Sequence, residues 1–348
     1  MKPSIKFKIG NKTISQHNPA YIIAEIGSNH NNNLQIAKKL IKEAANCGVD
    51  AVKFQTFKAE NHYSKYSPGF NYLKNKSTFE LIKSLEIDRN WQPILKKYSE
   101  NLGLDFFSSP CDIEAVDQLK DLKVVANKVA SFDLTDLDLI RYIASTKKPI
   151  ILSTGMATMR EIDNAINCCL KENNSKIIVL QCTSLYPAPT KLSNVNAIKS
   201  INTKFGVITG YSDHTTNNLS CLAAISVGAK VIEKHFTLNK KMKGPDHPFA
   251  IEPNQLKKLV LEIRNIEQIL GNGKKNGPSI QEKEMYLKGR RSVHAKVDIK
   301  KNEIIKDYML INKRPGLGLH PSKKYKILGK KAKKNIKKDQ WIIMDMIN

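Results

Sequence analysis

VIEKHFT, residues 231–237, is the last of eight short apolar runs in the chain, and its reading decides the fold. As a strand it puts Val231, Glu233 and His235 on one side and Ile232, Lys234 and Phe236 on the other. A buried face that mixes valine with a carboxylate and an imidazole is unstable unless something answers the polar groups. An uncompensated buried charge costs several kcal/mol, and a partner charge or a metal is the usual remedy.

Seven similar runs precede it: YIIAEIG (21–27), AVKFQTF (51–57), DFFSSP (105–110), ANKVAS (126–131), PIILSTG (149–155), IIVLQCTS (177–184) and FGVITGYS (205–212). Helix-period segments separate them, among them LQIAKKLIKEAANCG, IEAVDQLKDL and MREIDNAINCCLKEN, and PNQLKKLVLEIRNIEQIL follows the last. Gly48, Gly103 and Gly228 stand where helix C-caps belong. Eight strands each followed by a helix is the count of an α/β (β/α)8 TIM barrel, here expected over 1–270. A doubly wound sheet would use fewer strands and carry a phosphate-binding glycine fingerprint after the first, which this sequence lacks. Residues 271–287, with GNGKKNGPSIQEKE, read as a linker by composition, and 288–348 as a small C-terminal domain.

Composition bounds the function. With 41% hydrophobic residues in 348, a sizeable core is available, and no stretch approaches the roughly 20 apolar residues of a membrane span. The N-terminal MKPSIKFKIG is basic without an apolar signal region, so a cytoplasmic protein is expected, with no membrane partner. Six scattered cysteines without a Cys-x-x-Cys pair point to free thiols rather than disulfides or structural zinc. The net charge of +25 invites a nucleic-acid partner, but the lysines are dispersed among isoleucine and asparagine. Only KKYKILGKKAKKNIKKD (323–339) is dense, and it reads as a solvated face; no nucleic acid is expected, whereas an anionic small molecule suits the field.

Barrel enzymes place their chemistry at the C-terminal strand ends. Those ends here carry Glu25; Lys53 and Gln55; Ser108 and Ser109; Lys128; Ser153 and Thr154; Thr183, Ser184 and Tyr186; Ser212, Asp213 and His214; Glu233 and His235. Eight polar strand ends around one mouth describe an active site. His214 and His235 end neighbouring strands, where two imidazoles can ligate one divalent metal, although two separate structural histidines would satisfy the same spacing. Lys53 and Lys128 with the hydroxyls of Ser153 and Ser212 suit a phosphate or carboxylate better than a Schiff base, which needs an amine free of anions. Asp246, in KGPDHP after the eighth strand, is placed to reach a substrate hydroxyl.

AEIGSNHNNN (24–33), VKFQTF (52–57), FFSSP (106–110), NKVAS (127–131), ILSTGM (151–156), LQCTSLYP (180–187), GYSDHT (210–215), EKHFTL (233–238), KGPDHPFAIEP (243–253) and KRPGLGLHP (313–321) together resemble the sialic acid synthase family, in order and over nearly the whole chain. The resemblance implies a barrel joined to a C-terminal antifreeze-like (SAF) domain in a domain-swapped homodimer. It implies condensation of phosphoenolpyruvate with an N-acetylated hexosamine of the mannosamine type and water, giving a nine-carbon 2-keto sugar acid, of neuraminate or legionaminate type, and phosphate. A pseudaminic acid synthase using an altrose-type sugar, or a Schiff-base aldolase, are the alternatives. By position, His214 and His235 correspond to ligands of Mn2+ or Mg2+, and Lys53, Lys128, Ser153 and Ser212 to phosphoenolpyruvate contacts. Glu25, Gln55, Tyr186 and Asp246 correspond to residues that touch the sugar or assist catalysis. Glu233 is expected beside the metal or in proton transfer, and Arg314 corresponds to an arginine lent to the partner's site. Two places depart from the family pattern: asparagines stand at 32 and 33 where a glycine is usual, and 60–85, expected to cover the sugar pocket, matches no motif.

Overall fold

The computed structural model describes residues 1–69 and 77–348 and divides into two compact units, Met1–Gly271 and Asn272–Asn348. In the first unit a hairpin of β1 (Lys6–Ile9) and β2 (Lys12–Ser15) precedes the barrel. Eight parallel strands then close on themselves in chain order: β3 (Tyr21–Gly27), β4 (Ala51–Thr56), β5 (Asp105–Pro110), β6 (Asn127–Val129), β7 (Ile150–Ser153), β8 (Ile177–Cys182), β9 (Ile208–Asp213) and β10 (Val231–His235), with β10 pairing back to β3. The helical layer starts with α1 (Leu34–Asn46), α2 (Ala59–His62), α3 (Thr78–Ser84) and α4 (Trp91–Asn101). It continues with α5 (Ile113–Asp121), α6 (Leu137–Ser145), α7 (Met159–Lys171), α8 (Ala197–Phe205), α9 (Leu219–Ser226) and α10 (Pro253–Leu270).

Local chemistry explains the joints. Asn33, Asp112 and Asp136 accept backbone N–H groups at the starts of α1, α5 and α6, and Thr158 with Glu161 forms a reciprocal cap on α7; each such cap is worth about 1 kcal/mol. Asn31 and Asn32 take φ of 48° and 50°, the left-handed conformation that asparagine tolerates, so this loop reaches a glycine-like shape without the glycine. The hairpin, absent from the strand reading of the sequence, packs Phe7, Ile9 and Ile14 into the cluster that includes Tyr21 and Ala51. Its Lys12 pairs with Asp50, just ahead of β4, so it covers the end of the barrel where strands begin. Strands read as 126–131, 149–155 and 205–212 are shorter or shifted, since Phe205 belongs to α8 and β9 runs on to Asp213.

The strands alternate between the barrel interior and the helical layer, and this sorts the polar residues. Ser108 shares a hydrogen bond with Thr56, which also accepts from Gln92 of α4, and Asp213 pairs with Lys234 and accepts from Cys221 of α9. Ser108 and Asp213 therefore face the helices, not the mouth, and two of the expected strand-end groups are structural. Thr154 and Thr183 donate to the carbonyls of Leu180 and Leu192 and are likewise spent on the backbone.

The second unit begins in the stretch read as a linker, the end of which forms helix α11 (Lys283–Gly289). β11 (Ser292–Ala295) pairs antiparallel with β12 (Leu310–Lys313) over a small apolar core that includes Val293, Ile299, Ile336 and Ile342. All six cysteines are free, and among the described residues no helix is long and apolar enough to cross a membrane.

Candidate active site

A cleft open to solvent is lined by Glu25, Lys53, Gln55, Lys128, Ser153, Tyr186, Ser212, His214, Glu233, His235 and Asp246. The structure thus brings together eleven of the twelve residues to which the family resemblance gives a role. Arg314 lies in the second unit, where its Nε donates to the Gly289 carbonyl at 2.6 Å.

At the floor of the cleft stands a buried array of charges. Lys53 Nζ is 2.8 Å from Glu25 Oε2 and 3.9 Å from Glu233 Oε1, and donates to Ser109 Oγ at 3.2 Å. Lys128 Nζ donates to Ser153 Oγ at 2.7 Å and lies 3.8 Å from Glu233 Oε1, while Ser212 Oγ donates to the same Glu233 oxygen at 3.3 Å. What awaits Glu233 is therefore two ammonium groups and a hydroxyl. Burial pushes the Glu233 carboxyl up, but Lys128 and Lys53 outweigh it and hold the group below its ordinary value. Burial likewise works against the Lys53 ammonium, and Glu233 and Glu25 more than restore it. For Lys128 burial wins and the amine is lowered; for Glu25 burial, aided by Glu233, wins over Lys53 and the carboxyl is raised.

The rim of the cleft is aromatic and imidazole-bearing. The rings of His214 and His235 have centroids 5.3 Å apart, with Tyr186 4.3 Å from His214 and Phe249 5.0 Å from His235. His214 donates from Nδ1 to the Thr183 carbonyl at 2.8 Å, which fixes its tautomer and leaves the Nε2 lone pair available. His235 Nδ1 is buried without a hydrogen-bond partner and lies 3.5 Å from Asp246 Oδ2. Burial, together with the His214 charge, keeps His235 neutral far below its ordinary pKa, and burial beside Glu25 raises Asp246 to about 6. A neutral His235 with an unmet nitrogen and the adjacent Asp246 carboxylate supply donors that suit a divalent metal; His214, which burial lowers but Cys182 and the Thr183 carbonyl raise, would give up its proton to join them.

The sequence reading missed part of the lining. Ser131, three residues beyond Lys128, accepts from the Gly155 N–H at 2.9 Å, and Phe132 and Phe249 form apolar wall. Ser131 carried a usable signal, because it ends the fourth run; the two phenylalanines carried none, since aromatic residues in loops are common. Of the segment 60–85, residues 70–76 lie outside the described residues, while His62, Tyr63, Thr78, Leu81, Ile82 and Leu85 border the cleft.

Comparison with known proteins identifies relatives over nearly the whole chain. A model described as NeuB family matches residues 40–275, and one described as SAF domain matches 290–348. The chain is 41% identical to the N,N'-diacetyllegionaminic acid synthase of Campylobacter jejuni over 328 residues, covering 92% of this chain and 98% of that protein. It is 36% identical to the pseudaminic acid synthase of the same species over 325 residues, covering 91% and 93%. The crystal structure of the N-acetylneuraminic acid synthetase of Leptospira borgpetersenii, in complex with citrate, superposes with a TM-score of 0.74 at 34% identity, covering 81% of this chain and 95% of that one. With a barrel, a polar cleft at its strand ends and a C-terminal SAF domain, the chain belongs to the NeuB family of sialic and other nonulosonic acid synthases.

Proposed function

We propose that this enzyme condenses phosphoenolpyruvate with an N-acetylated hexosamine of the mannosamine type and water, giving a nine-carbon 2-keto sugar acid of legionaminate or neuraminate type and phosphate. The observation that carries the reading is the joining of Lys53, Lys128, Ser153 and Ser212 in one buried cluster directly below His214 and His235. The lysines and hydroxyls hold the phosphate and carboxylate of phosphoenolpyruvate, which turns a two-substrate encounter into a positioned one. Its enol carbon forms a bond to the aldehyde carbon of the open-chain sugar, water adds at the former enol-phosphate carbon, and phosphate departs to leave the ketone.

His214 and His235 would hold a divalent ion, Mn2+ or Mg2+, which supplies Lewis-acid polarisation of the aldehyde oxygen. Glu25 and Glu233 are the carboxylates that move protons, at the acceptor oxygen and the entering water. Gln55 donates to Glu25 Oε1 at 2.7 Å and keeps that carboxylate aimed into the cleft. Tyr186 and Asp246 contact the sugar from the rim. Identity to the legionaminic acid synthase over nearly the full length supports a diacetamido sugar acceptor, with the altrose-type sugar of a pseudaminic acid synthase as the alternative. Arg314 is proposed to complete the site of a second chain in a domain-swapped homodimer.

Phosphate release from phosphoenolpyruvate with Mn2+ is the test, against N-acetylmannosamine, the 2,4-diacetamido-6-deoxymannose sugar and its altrose counterpart. Release with one sugar, abolished by chelator and by His214→Ala, is expected. Absence of release with every sugar together with failure to bind phosphoenolpyruvate overturns the reading. The lowered Lys128 amine makes borohydride trapping with pyruvate the necessary control for a Schiff-base aldolase.

A further inference from the structure

On the side of the cleft away from His214 and His235, three side chains from three different joints converge. They are His62 at the end of α2, Cys111 directly after β5 and Asp133 in the turn after β6. One potential ligand atom from each lies within 4.8 Å of the other two, and His62 Nδ1 is 3.9 Å from Asp133 Oδ1. In a tetrahedral ion site with such ligands the edges are roughly 3.4–3.6 Å, given metal–nitrogen, –oxygen and –sulfur distances of about 2.0–2.3 Å. Small side-chain rotations close the gap.

The joints that carry these groups are fixed. The Cys111 N–H donates to the Thr56 carbonyl at 3.0 Å, tying it to the end of β4, and the Asp133 N–H donates to Ala130 at 3.0 Å. The imidazole of His62 stacks on Phe57, centroids 6.0 Å apart and planes at 26°, and meets Tyr63 edge-on at 4.9 Å. The side chains of His62 and Asp133 are only 20% and 11% exposed, so an ion there would exchange little of its shell with bulk water. Nothing in the condensation uses these three residues.

We infer that His62, Cys111 and Asp133 form a second ion site, selective for zinc-class divalent ions. A donor set of one nitrogen, one thiolate sulfur and one carboxylate oxygen is too soft for Mg2+ or Mn2+ and suits Zn2+ or Co2+. Three protein ligands leave a fourth position, which faces the cleft because all three residues line it. An ion there narrows the room for the acceptor sugar, so the site is inhibitory. That consequence rests on the synthase reading; the binding does not. Burial and the neighbouring Asp133 keep the proton on Cys111, so binding must release it, whereas Lys53 assists the release.

Cobalt binding to the full-length chain tests the site without relying on turnover. Two equivalents of Co2+ are expected per chain, with a thiolate-to-cobalt charge-transfer band in the near ultraviolet. Cys111→Ser should remove the band and one equivalent, and His62→Ala should weaken that equivalent by about tenfold or more. His214→Ala should keep the band. Zn2+ added to the Mn2+-loaded enzyme should inhibit phosphate release competitively with sugar, about tenfold less potently in Cys111→Ser. One equivalent and no band overturns the site. A band that survives Cys111→Ser and vanishes in Cys182→Ser also overturns it, because Cys182 Sγ is 3.8 Å from His214 Nδ1 and would then be the sulfur ligand. If Cys111→Ser does not fold, Asp133→Asn is read by the same band and stoichiometry. Should no sugar support phosphate release, the cobalt measurements still decide whether the ion binds.

Discussion

Lys53 Nζ stands 2.8 Å from Glu25 Oε2, and the two residues are register partners on adjacent barrel strands. Both side chains are almost fully buried, so neither charge is screened by water and each depends on the other. Glu25→Gln keeps the shape and the contact with Gln55 but removes the charge and the proton. It is expected to lower kcat by about 10²–10⁴, the usual worth of a positioned acid or base, with little change in the KM for phosphoenolpyruvate. Lys53→Met is expected to act on that KM first, because it removes an anion contact. Steady-state phosphate release separates the two, and an unchanged kcat in Glu25→Gln removes it from proton transfer.

On β10, one residue beyond Glu233, the polarity serves stability instead. Lys234 pairs with Asp213 and donates to the carbonyls of Thr215 at 2.7 Å and Asn217 at 3.1 Å, all within the helical layer. Asp213→Asn leaves a buried ammonium without its counter-charge, at a cost of about 3–5 kcal/mol. A drop of that size in urea unfolding is expected, with substrate KM unchanged in whatever fraction remains folded. A neutral outcome in the unfolding curve would falsify the pairing as a stabilising contact.

These two cases show what was legible in the sequence. The eight strands and their order follow from apolar runs and helix-period spacers, because parallel barrel strands are buried on both faces and keep their hydrophobicity whatever the loops do. The convergence of eleven site residues follows from barrel topology, which gathers every strand end at one mouth. The facing of individual polar residues was not legible. Ser108 and Ser109 are equal as sequence, and only the partner beyond, Thr56 in the helical layer or Lys53 in the cleft, tells them apart. The hairpin β1–β2 escaped because its strands are short and rich in lysine. The cluster of His62, Cys111 and Asp133 spans three loops with no shared motif, and spacing carries no sign of it.

The place of Arg314 yields a prediction about assembly. Arg314→Ala and Glu25→Gln are each expected to inactivate the enzyme. In a swapped homodimer, chains carrying one substitution each form sites of two kinds: one has both defects and the other has none. Mixing the two inactive variants after partial unfolding and refolding together should therefore restore phosphate release. Failure to restore any, with mixed dimers shown by mass spectrometry, means Arg314 does not serve a partner's site.

His30 supplies a pH dependence that lies outside the reaction. Its ring is 1% exposed, packed 6.2 Å from both Phe54 and Trp91, and its Nδ1 accepts the Asn32 backbone N–H at 3.1 Å. A protonated Nδ1 cannot accept that bond, and burial lowers the pKa to about 4. In the unfolded chain the ring titrates near its free value of about 6.5. Between these values the unfolded state binds more protons, so the stability from neutral His30 is complete above about pH 6.5 and is lost as pH falls toward 4. The slope is at most about 1.4 kcal/mol per pH unit for one such group. His247, also lowered to about 4 by burial, acts in the same direction. Urea unfolding of wild type and His30→Asn at a series of pH values reads the effect as a difference. The wild type is expected to lose stability faster than the variant between pH 6.5 and 4, so that the two curves converge on acidification. Curves that stay parallel would show that His30 carries its proton equally in both states, and the buried acceptor at Nδ1 would then not be neutral.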